Sequence, residues 1–227
     1  AKPKKVAVVN YDDEWGKKLI AYNEDRKLKT LSYGFGFGAD YRAVDLQQTR
    51  KGTDFKIEAG SRQFRASIPF IGKFNVYNAL AALVAGIGMG LNVRETVSNL
   101  ADLPQIPGRL ESVSEGRPFD VFVDYAHTPD ALSNALLTLE ELKPRRLIVI
   151  FGCGGDRDVT KRAQMGNVAA SIAHYTIITS DNPRNEPPSK IIGEIESGFE
   201  GTNYEIVEDR REAIALGVSY LLPGDIL

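Results

Sequence analysis

Residues 147–158 read Leu147-Ile148-Val149-Ile150-Phe151-Gly152-Cys153-Gly154-Gly155-Asp156-Arg157-Asp158, five apolar residues running directly into a glycine-rich polar loop. A run this short, rich in Ile and ended by glycine, reads as a buried strand, and its unbroken apolarity suits a strand covered on both faces. The same unit recurs on either side. Val121-Phe122-Val123 runs into Asp124-Tyr125-Ala126-His127-Thr128-Pro129, and Tyr175-Thr176-Ile177-Ile178-Thr179 runs into Ser180-Asp181-Asn182-Pro183-Arg184, with a fourth apolar run at 204–207. Amphipathic segments at 129–142, 159–173, 188–199 and 210–222 alternate with these runs. In the first segment Ala131, Leu132, Ala135, Leu136, Leu139 and Leu142 share one helical face, behind Thr128 as N-cap and Pro129 at the first helical position. Strand and helix in alternation predict a Rossmann-like, mostly parallel α/β domain, whose ligands sit at the carboxyl ends of the strands.

Upstream the pattern changes. Residues 28–70 alternate polar and apolar positions with aromatic and β-branched residues, which predicts a strand-rich stretch. Gly34, Gly36 and Ala39 match the spacing of a dinucleotide-binding fingerprint, but no helical period follows, so they read as glycines of a strand or hairpin. From Asn75, a plausible N-cap, residues 76–85 are apolar nearly all round, as in a buried helix. A second helix is expected from Asn92, with Glu95 three residues on as in a capping box, ending before Pro104. Pro104-Gln105-Ile106-Pro107-Gly108 breaks regular structure twice within five residues and marks the expected boundary between domains at 1–108 and 109–227.

The 227 residues suffice for about one and a half domains. With 28 basic and 30 acidic side chains, the net charge of −2 lacks the basic footprint that nucleic-acid binding needs. The single cysteine, Cys153, has no disulfide partner within the chain, which points to a reducing, cytoplasmic compartment. No charge-free apolar stretch approaches the roughly 18 residues of a membrane span, and the apolar run after the basic start Ala1-Lys2-Pro3-Lys4-Lys5 is too short for a signal peptide. The chain has no initiator Met and enters the strand-like run Val6-Ala7-Val8-Val9 almost at once. At its other end Ile226-Leu227 resembles the start of a further strand. Both ends are expected to be trimmed from a longer protein, with the second domain cut short.

Three polar clusters at strand ends carry the chemistry. Asp124 can accept hydrogen bonds from a ribose diol or serve as a turn carboxylate, and His127 lies just before a helix N-terminus, where anions are favoured. Gly152-Cys153-Gly154-Gly155 lets the backbone approach a ligand closely, and Arg157 beyond it offers a planar fork for a carboxylate or phosphate, or else is a solvated surface arginine. Asp181-Asn182-Pro183-Arg184 combines an acceptor, an amide and a cation around a rigid Pro, a set able to grip the ammonium and carboxylate of an amino acid, although such residues also make ordinary helix-leading turns. Cys153 has no nearby His and reads as a packing residue, and His174 reads as a helix-end or surface residue. Two histidines and one cysteine without ligand spacing make no zinc site, and no G-x-x-x-x-G-K-[ST] phosphate loop occurs in the chain.

Taken together, these stretches resemble the Mur ligases, the ATP-dependent family that adds amino acids to the UDP-muramoyl peptide precursor of the bacterial cell wall. Phe74-Asn75-Val76-Tyr77-Asn78 is similar to the family's nucleotide-contacting helix start, Pro107-Gly108-Arg109 to its interdomain motif, and residues 124–129 to the motif that follows. Residues 152–162 and Asp181-Asn182-Pro183-Arg184 resemble the branch that attaches meso-2,6-diaminopimelate to UDP-MurNAc-L-Ala-D-Glu. One departure is Ala163, where the family usually carries Pro; it is expected to alter a helix start rather than the chemistry. The resemblance implies the back portion of a P-loop-type central ATPase domain followed by the amino-acid-binding domain. It implies that the substrate carboxylate is activated by MgATP as an acyl phosphate, which the diaminopimelate amine then attacks. Asn75, Asn78, Asp124 and Tyr125 would bind the nucleotide, with His127 nearby and Arg109 facing the terminal phosphate. Arg157, Asp181, Asn182 and Arg184 would hold diaminopimelate. The phosphate loop and the Mg²⁺ ligands would lie upstream, so no metal ligand is assigned here and the chain alone is expected to lack ligase activity. Phosphate release dependent on diaminopimelate would overturn that expectation.

Two other readings remain open from the residues. A related ligase of the Mur or folylpolyglutamate-synthetase type would share the Asn and Pro-Gly-Arg features without needing residues 181–184. A nonenzymatic nucleotide- or amino-acid-binding module is also compatible, whereas a dinucleotide-dependent oxidoreductase would need the glycine fingerprint at a helix start.

Overall fold

The computed structural model describes residues 5–227; the start of the basic N-terminal stretch, residues 1–4, lies outside them. The chain forms two compact units, Ala1–Gln105 and Ile106–Leu227.

The first unit contains β1 (Ala7–Asn10), α1 (Glu14–Asp25), β2 (Thr30–Gly34), β3 (Tyr41–Thr49), β4 (Gly52–Ala59), β5 (Arg62–Ile68), α2 (Lys73–Gly88), α3 (Val93–Ser98) and a 3₁₀ turn at Asn99–Asp102. Its five strands lie in the order β1-β2-β3-β4-β5, the first three parallel and the last three antiparallel. The alternation across 28–70 places Phe55, Ile57, Ala66 and Ile68 on one buried face, against Val76, Ala79, Leu80 and Leu83 of α2. Because β2 and β3 run parallel, no hairpin joins them. Gly34 instead closes β2 and Gly36 follows in the loop, each against Asp12.

Asn75 is not the cap of α2. The helix starts at Lys73 behind Gly72, whose φ of 94° turns the chain without a side-chain cap. The cause is tertiary: Phe70 and Ile71 are anchored in the core, so the chain must turn immediately after them. At α3, by contrast, Glu95 N donates to Asn92 Oδ1 at 3.2 Å, and regular structure ends before Pro104.

The second unit contains β6 (Glu111–Ser112), β7 (Phe122–Val123), α4 (Pro129–Glu140), β8 (Ile148–Phe151), α5 (Thr160–Ile172), β9 (Tyr175–Ile178), α6 (Pro188–Glu196), β10 (Tyr204–Ile206) and α7 (Arg210–Ser219). Strands β8, β9 and β10 form a parallel sheet in the order β10-β9-β8, its apolar runs fully buried at Leu147, Ile177 and Ile178. The 121–123 run departs from the simple parallel expectation, since β7 pairs antiparallel with the two-residue β6. Ile226, completely buried, bridges both Asp120 and Leu147 in the parallel sense and so stands between β7 and β8. Thr128 caps α4 through Ala131 N at 3.2 Å, with Pro129 at the first helical position as expected. Ala163 lies within α5, which begins at Thr160 with no side-chain bond from its N-cap, Val159. Among the described residues no helix is long and apolar enough to cross a membrane.

Candidate functional site

In the second unit the loops after β8 and β9 are joined at their backbones. Gly155 N donates to the Asn182 carbonyl at 2.8 Å, and Arg184 Nη1 donates to the Gly155 carbonyl at 2.6 Å. Glycine is required at 155: a Cβ there would stand 1.9 Å from the Pro183 carbonyl oxygen. Asp156 and Arg184, one in each loop, both adopt left-handed backbone conformations, with φ of 52° and 50°. For residues other than glycine that conformation costs about 1 kcal/mol or more and persists only where the surroundings impose it.

Behind these loops lies Arg162, from the first turn of α5. It is completely buried, with Nη2 donating to Glu186 Oε1 at 2.7 Å and Nη1 to Glu186 Oε2 at 3.0 Å. The same guanidinium pairs with Glu194 and, through Nη2, reaches the Gly154 carbonyl at 3.3 Å. Glu186 Oε1 also accepts from Asp156 N at 2.7 Å, and Asp156 Oδ2 accepts from Asn185 Nδ2 at 2.8 Å. Hydrogen bonds from Arg162 and from the Asp156 amide pull the Glu186 carboxyl down to about 2, and its carboxylate holds the guanidinium charged.

What these ties leave free is chemically specific. Arg157, Asp181 and Asn182 are exposed, with no side-chain hydrogen bond or ion pair among the described residues. Arg184, also exposed, has committed one guanidinium nitrogen to Gly155 and presents the rest. An open hollow of about 510 Å³ lies beside Asp181, bounded by Ser180, Glu208, Asp209 and Arg210. Cys153 is buried 3.6 Å from Met165 Sδ, and burial pushes its thiol up to about 11, which suits packing rather than nucleophilic attack. His174 is exposed, its Nδ1 accepting from Leu147 N at 3.1 Å.

The loop after β7 carries the other cluster. Asp124 accepts from Leu110 N at 2.9 Å and from Ala126 N at 2.8 Å, so its carboxylate organises the turn while each oxygen retains acceptor capacity. Arg109 stacks over the Tyr125 ring at 5.9 Å, and Tyr125 meets His127 edge to face at 5.1 Å, all three exposed. Lys161 Nζ donates to the His127 carbonyl at 2.6 Å, so adjacent residues of α5 reach toward different loops.

In the first unit Asn75 is buried, its Nδ2 donating to the Ile71 carbonyl at 2.8 Å, and the exposed Asn78 donates to Asn75 Oδ1 at 3.4 Å. Nearby, Asp12 accepts from Phe35 N at 2.6 Å, Gly36 N at 2.8 Å and the Tyr77 hydroxyl at 2.6 Å. Burial alone would raise the Asp12 carboxyl, but these donors and Lys73 outweigh it and hold it below the usual range. Among the described residues no three His, Cys, Asp or Glu side chains gather so as to hold a metal ion.

Residues 108–227 match the Mur ligase, glutamate ligase domain, and residues 1–86 match the Mur ligase middle domain. The chain belongs to the Mur ligase family. It is 41% identical over 224 residues to a UDP-N-acetylmuramoyl-L-alanyl-D-glutamate–2,6-diaminopimelate ligase of Syntrophomonas wolfei, covering 97% of this chain and 45% of that protein. A solved structure of a ligase of the same name superposes with a TM-score of 0.69 at 36% identity, over 98% of this chain and 46% of that one. A Mycobacterium tuberculosis folylpolyglutamate synthase complexed with ADP and AMPPCP shares the fold, with a TM-score of 0.78 at 19% identity over 99% of this chain and 52% of the other. The chain therefore spans about half the length of the relatives it matches. Sequence reasoning missed Asp12 and Glu186 in this Mur ligase chain, and it met Lys161 and Arg162 only within a resembling stretch. Each acts through a partner distant in sequence; the local signal was limited to a charged residue near a glycine- or proline-rich loop for Lys161, Arg162 and Glu186, and there was none for Asp12.

Proposed function

We propose that this chain is part of an ATP-dependent ligase joining meso-2,6-diaminopimelate to UDP-MurNAc-L-Ala-D-Glu, with the loops after β8 and β9 as the amino-acid site. One observation carries the reading: the loops after β8 and β9 are bonded to each other, and Arg157, Asp181, Asn182 and Arg184 are exposed on them. Diaminopimelate has an amino-acid group at each end, so the end that does not react needs a cation for its carboxylate and an acceptor for its ammonium. Arg184 and Arg157 supply the first, Asp181 and Asn182 the second. The similarity to diaminopimelate ligases over 97% of the chain supports the same assignment.

ATP would activate the terminal carboxylate of the UDP-muramoyl dipeptide as an acyl phosphate. On this reading Asn78, with Asn75 behind it, is the nucleotide-facing group of the first unit. In the second, Asp124 and Tyr125 serve the nucleoside and Arg109 the developing phosphate charge, with His127 alongside. On this reading Mg²⁺ accompanies the ATP, its ligands supplied upstream of these residues. The chain by itself is not a working ligase on this reading. In the full-length enzyme, Arg184→Ala should raise the apparent KM for diaminopimelate about ten- to a hundredfold, the worth of a charge-assisted hydrogen bond, and leave that for ATP nearly unchanged. Equal effects on the two would remove Arg184 from the amino-acid site.

A further inference from the structure

Four outward groups are assigned to diaminopimelate, and of their side chains only Arg184 also ties the two loops, through the Gly155 carbonyl. Beyond that bond and the Gly155–Asn182 backbone contact, a further tie lies behind them. Glu186 receives both terminal nitrogens of Arg162 and the Asp156 amide, so one carboxylate gathers α5, the loop after β8 and the segment that follows β9. Arg162 adds its contact to the Gly154 carbonyl. Burying such a pair is a poor route to stability, because desolvation offsets most of the attraction and apolar residues of similar volume do as well or better. The Arg162 side chain is completely buried, and its Nε has no hydrogen-bond partner among the described residues. The site thus keeps an ion pair that packing alone does not call for. Glu186 bonds the amide of one left-handed residue, Asp156, and lies two residues beyond the other, Arg184.

We infer that the Arg162–Glu186 pair is the positioning element of the amino-acid site, setting the gap between the Gly154–Asp156 backbone and the Asn182–Arg184 turn, and with it the preference for a ligand bearing a second carboxylate. This rests on the reading of those loops as the diaminopimelate site. Neither residue touches the ligand; Arg162 holds the loops and Arg184 meets the remote carboxylate.

Glu186→Gln tests it in the 227-residue chain. The amide preserves shape but turns a donor toward the guanidinium, so the two-point contact is lost. Lys190→Ala, which removes an exposed lysine 3.2 Å from Glu186 Oε2, serves as the control. Two measurements are made: amide hydrogen exchange at Gly155 and Asp156 against Ile150 and Ile177, and calorimetric titration with meso-diaminopimelate and with L-lysine, which lacks the second carboxylate. In Glu186→Gln, exchange at Gly155 and Asp156 is expected to rise about tenfold while the strand amides hold, and the preference for diaminopimelate over lysine to shrink about tenfold, one hydrogen bond's worth. Lys190→Ala should change neither. Unaltered loop exchange, or an intact ligand preference in a loosened loop, overturns the positioning role. If the unsubstituted chain binds neither amino acid, the reading of the site fails, whereas the exchange result still decides whether the pair positions the loops.

Discussion

Asp12 in the first unit and Arg162 in the second do comparable work with opposite electrostatics. Asp12 is one partly buried carboxylate gathering neutral donors: two backbone amides at the end of β2 and the hydroxyl of Tyr77 on α2. Arg162 is a completely buried cation gathering two carboxylates and a carbonyl. Both fasten strand-end loops to a helix. The difference lies in what remains when one member is removed. Around Asp12 the orphaned groups are neutral and near solvent, so water can replace the lost partner. Around Arg162 the loss falls on a completely buried guanidinium and its charged partners, which water reaches less easily. A neutral node is forgiving and local, and a charged one fixes its neighbours more tightly and fails more completely.

The largest expected effect breaks that contrast directly. Arg162→Ala should destabilise the second unit by about 3–5 kcal/mol, because it empties the space of a completely buried side chain and takes the main cation from two partly buried carboxylates. Asp12→Ala should cost the first unit about 1–3 kcal/mol for its orphaned donors. Guanidinium unfolding followed by amide exchange in each unit separates the two. Equal losses would mean that the Arg162 cluster is far better hydrated than its burial implies.

Acid should divide the nodes next. Both carboxyls lie below their ordinary values in the folded chain, so each contributes stability that is present above its unfolded pKa and lost as pH falls through the folded one. For Glu186 the window runs from its ordinary value of 4.5 down to about 2. Glu186→Gln should therefore flatten the pH dependence of second-unit stability across that window and leave the first unit's acid response, set in part by Asp12, unchanged. Denaturation midpoints measured from pH 6 to about 2 check this, and an undiminished slope in the second unit would assign its acid sensitivity elsewhere.

The two nodes also show where sequence reading stops. Alternating strand and helix in the second unit was legible because apolar period and turn residues are local properties; Thr128-Pro129 and Asn92-Glu95 mark helix starts for the same reason. The start of α2 was not, since the buried Phe70 and Ile71 and the turn at Gly72 override Asn75. The two-residue β6 has too little sequence to carry a period. The polar loops were visible as residue types. Which of their side chains face a ligand and which hold the loop depends on partners 24 residues apart for Arg162 and Glu186, and 65 apart for Tyr77 and Asp12. Gly34 and Gly36 illustrate the same limit: they read as strand or hairpin glycines, and Gly34 does close β2, but only the structure shows that a Cβ at Gly36 would stand 2.5 Å from Asp12 Oδ1, so their small size serves an internal carboxylate.

Tyr77→Phe is the mildest probe and the one that resolves the Asp12 node into parts. Phe35 and Tyr77 pack edge to face at 4.6 Å, a contact the phenyl ring keeps, so the substitution removes little beyond the hydroxyl's bond to Asp12 Oδ2. Two backbone amides still reach the carboxylate, and the loss should be about 0.5–1.5 kcal/mol, below that of Asp12→Ala. With one donor gone, the Asp12 carboxyl should titrate closer to its ordinary value, which carboxyl-detected NMR follows directly. A cost matching Asp12→Ala would mean that the amides at 35 and 36 bond well only while Tyr77 holds the carboxylate in place, making the neutral node as cooperative as the charged one.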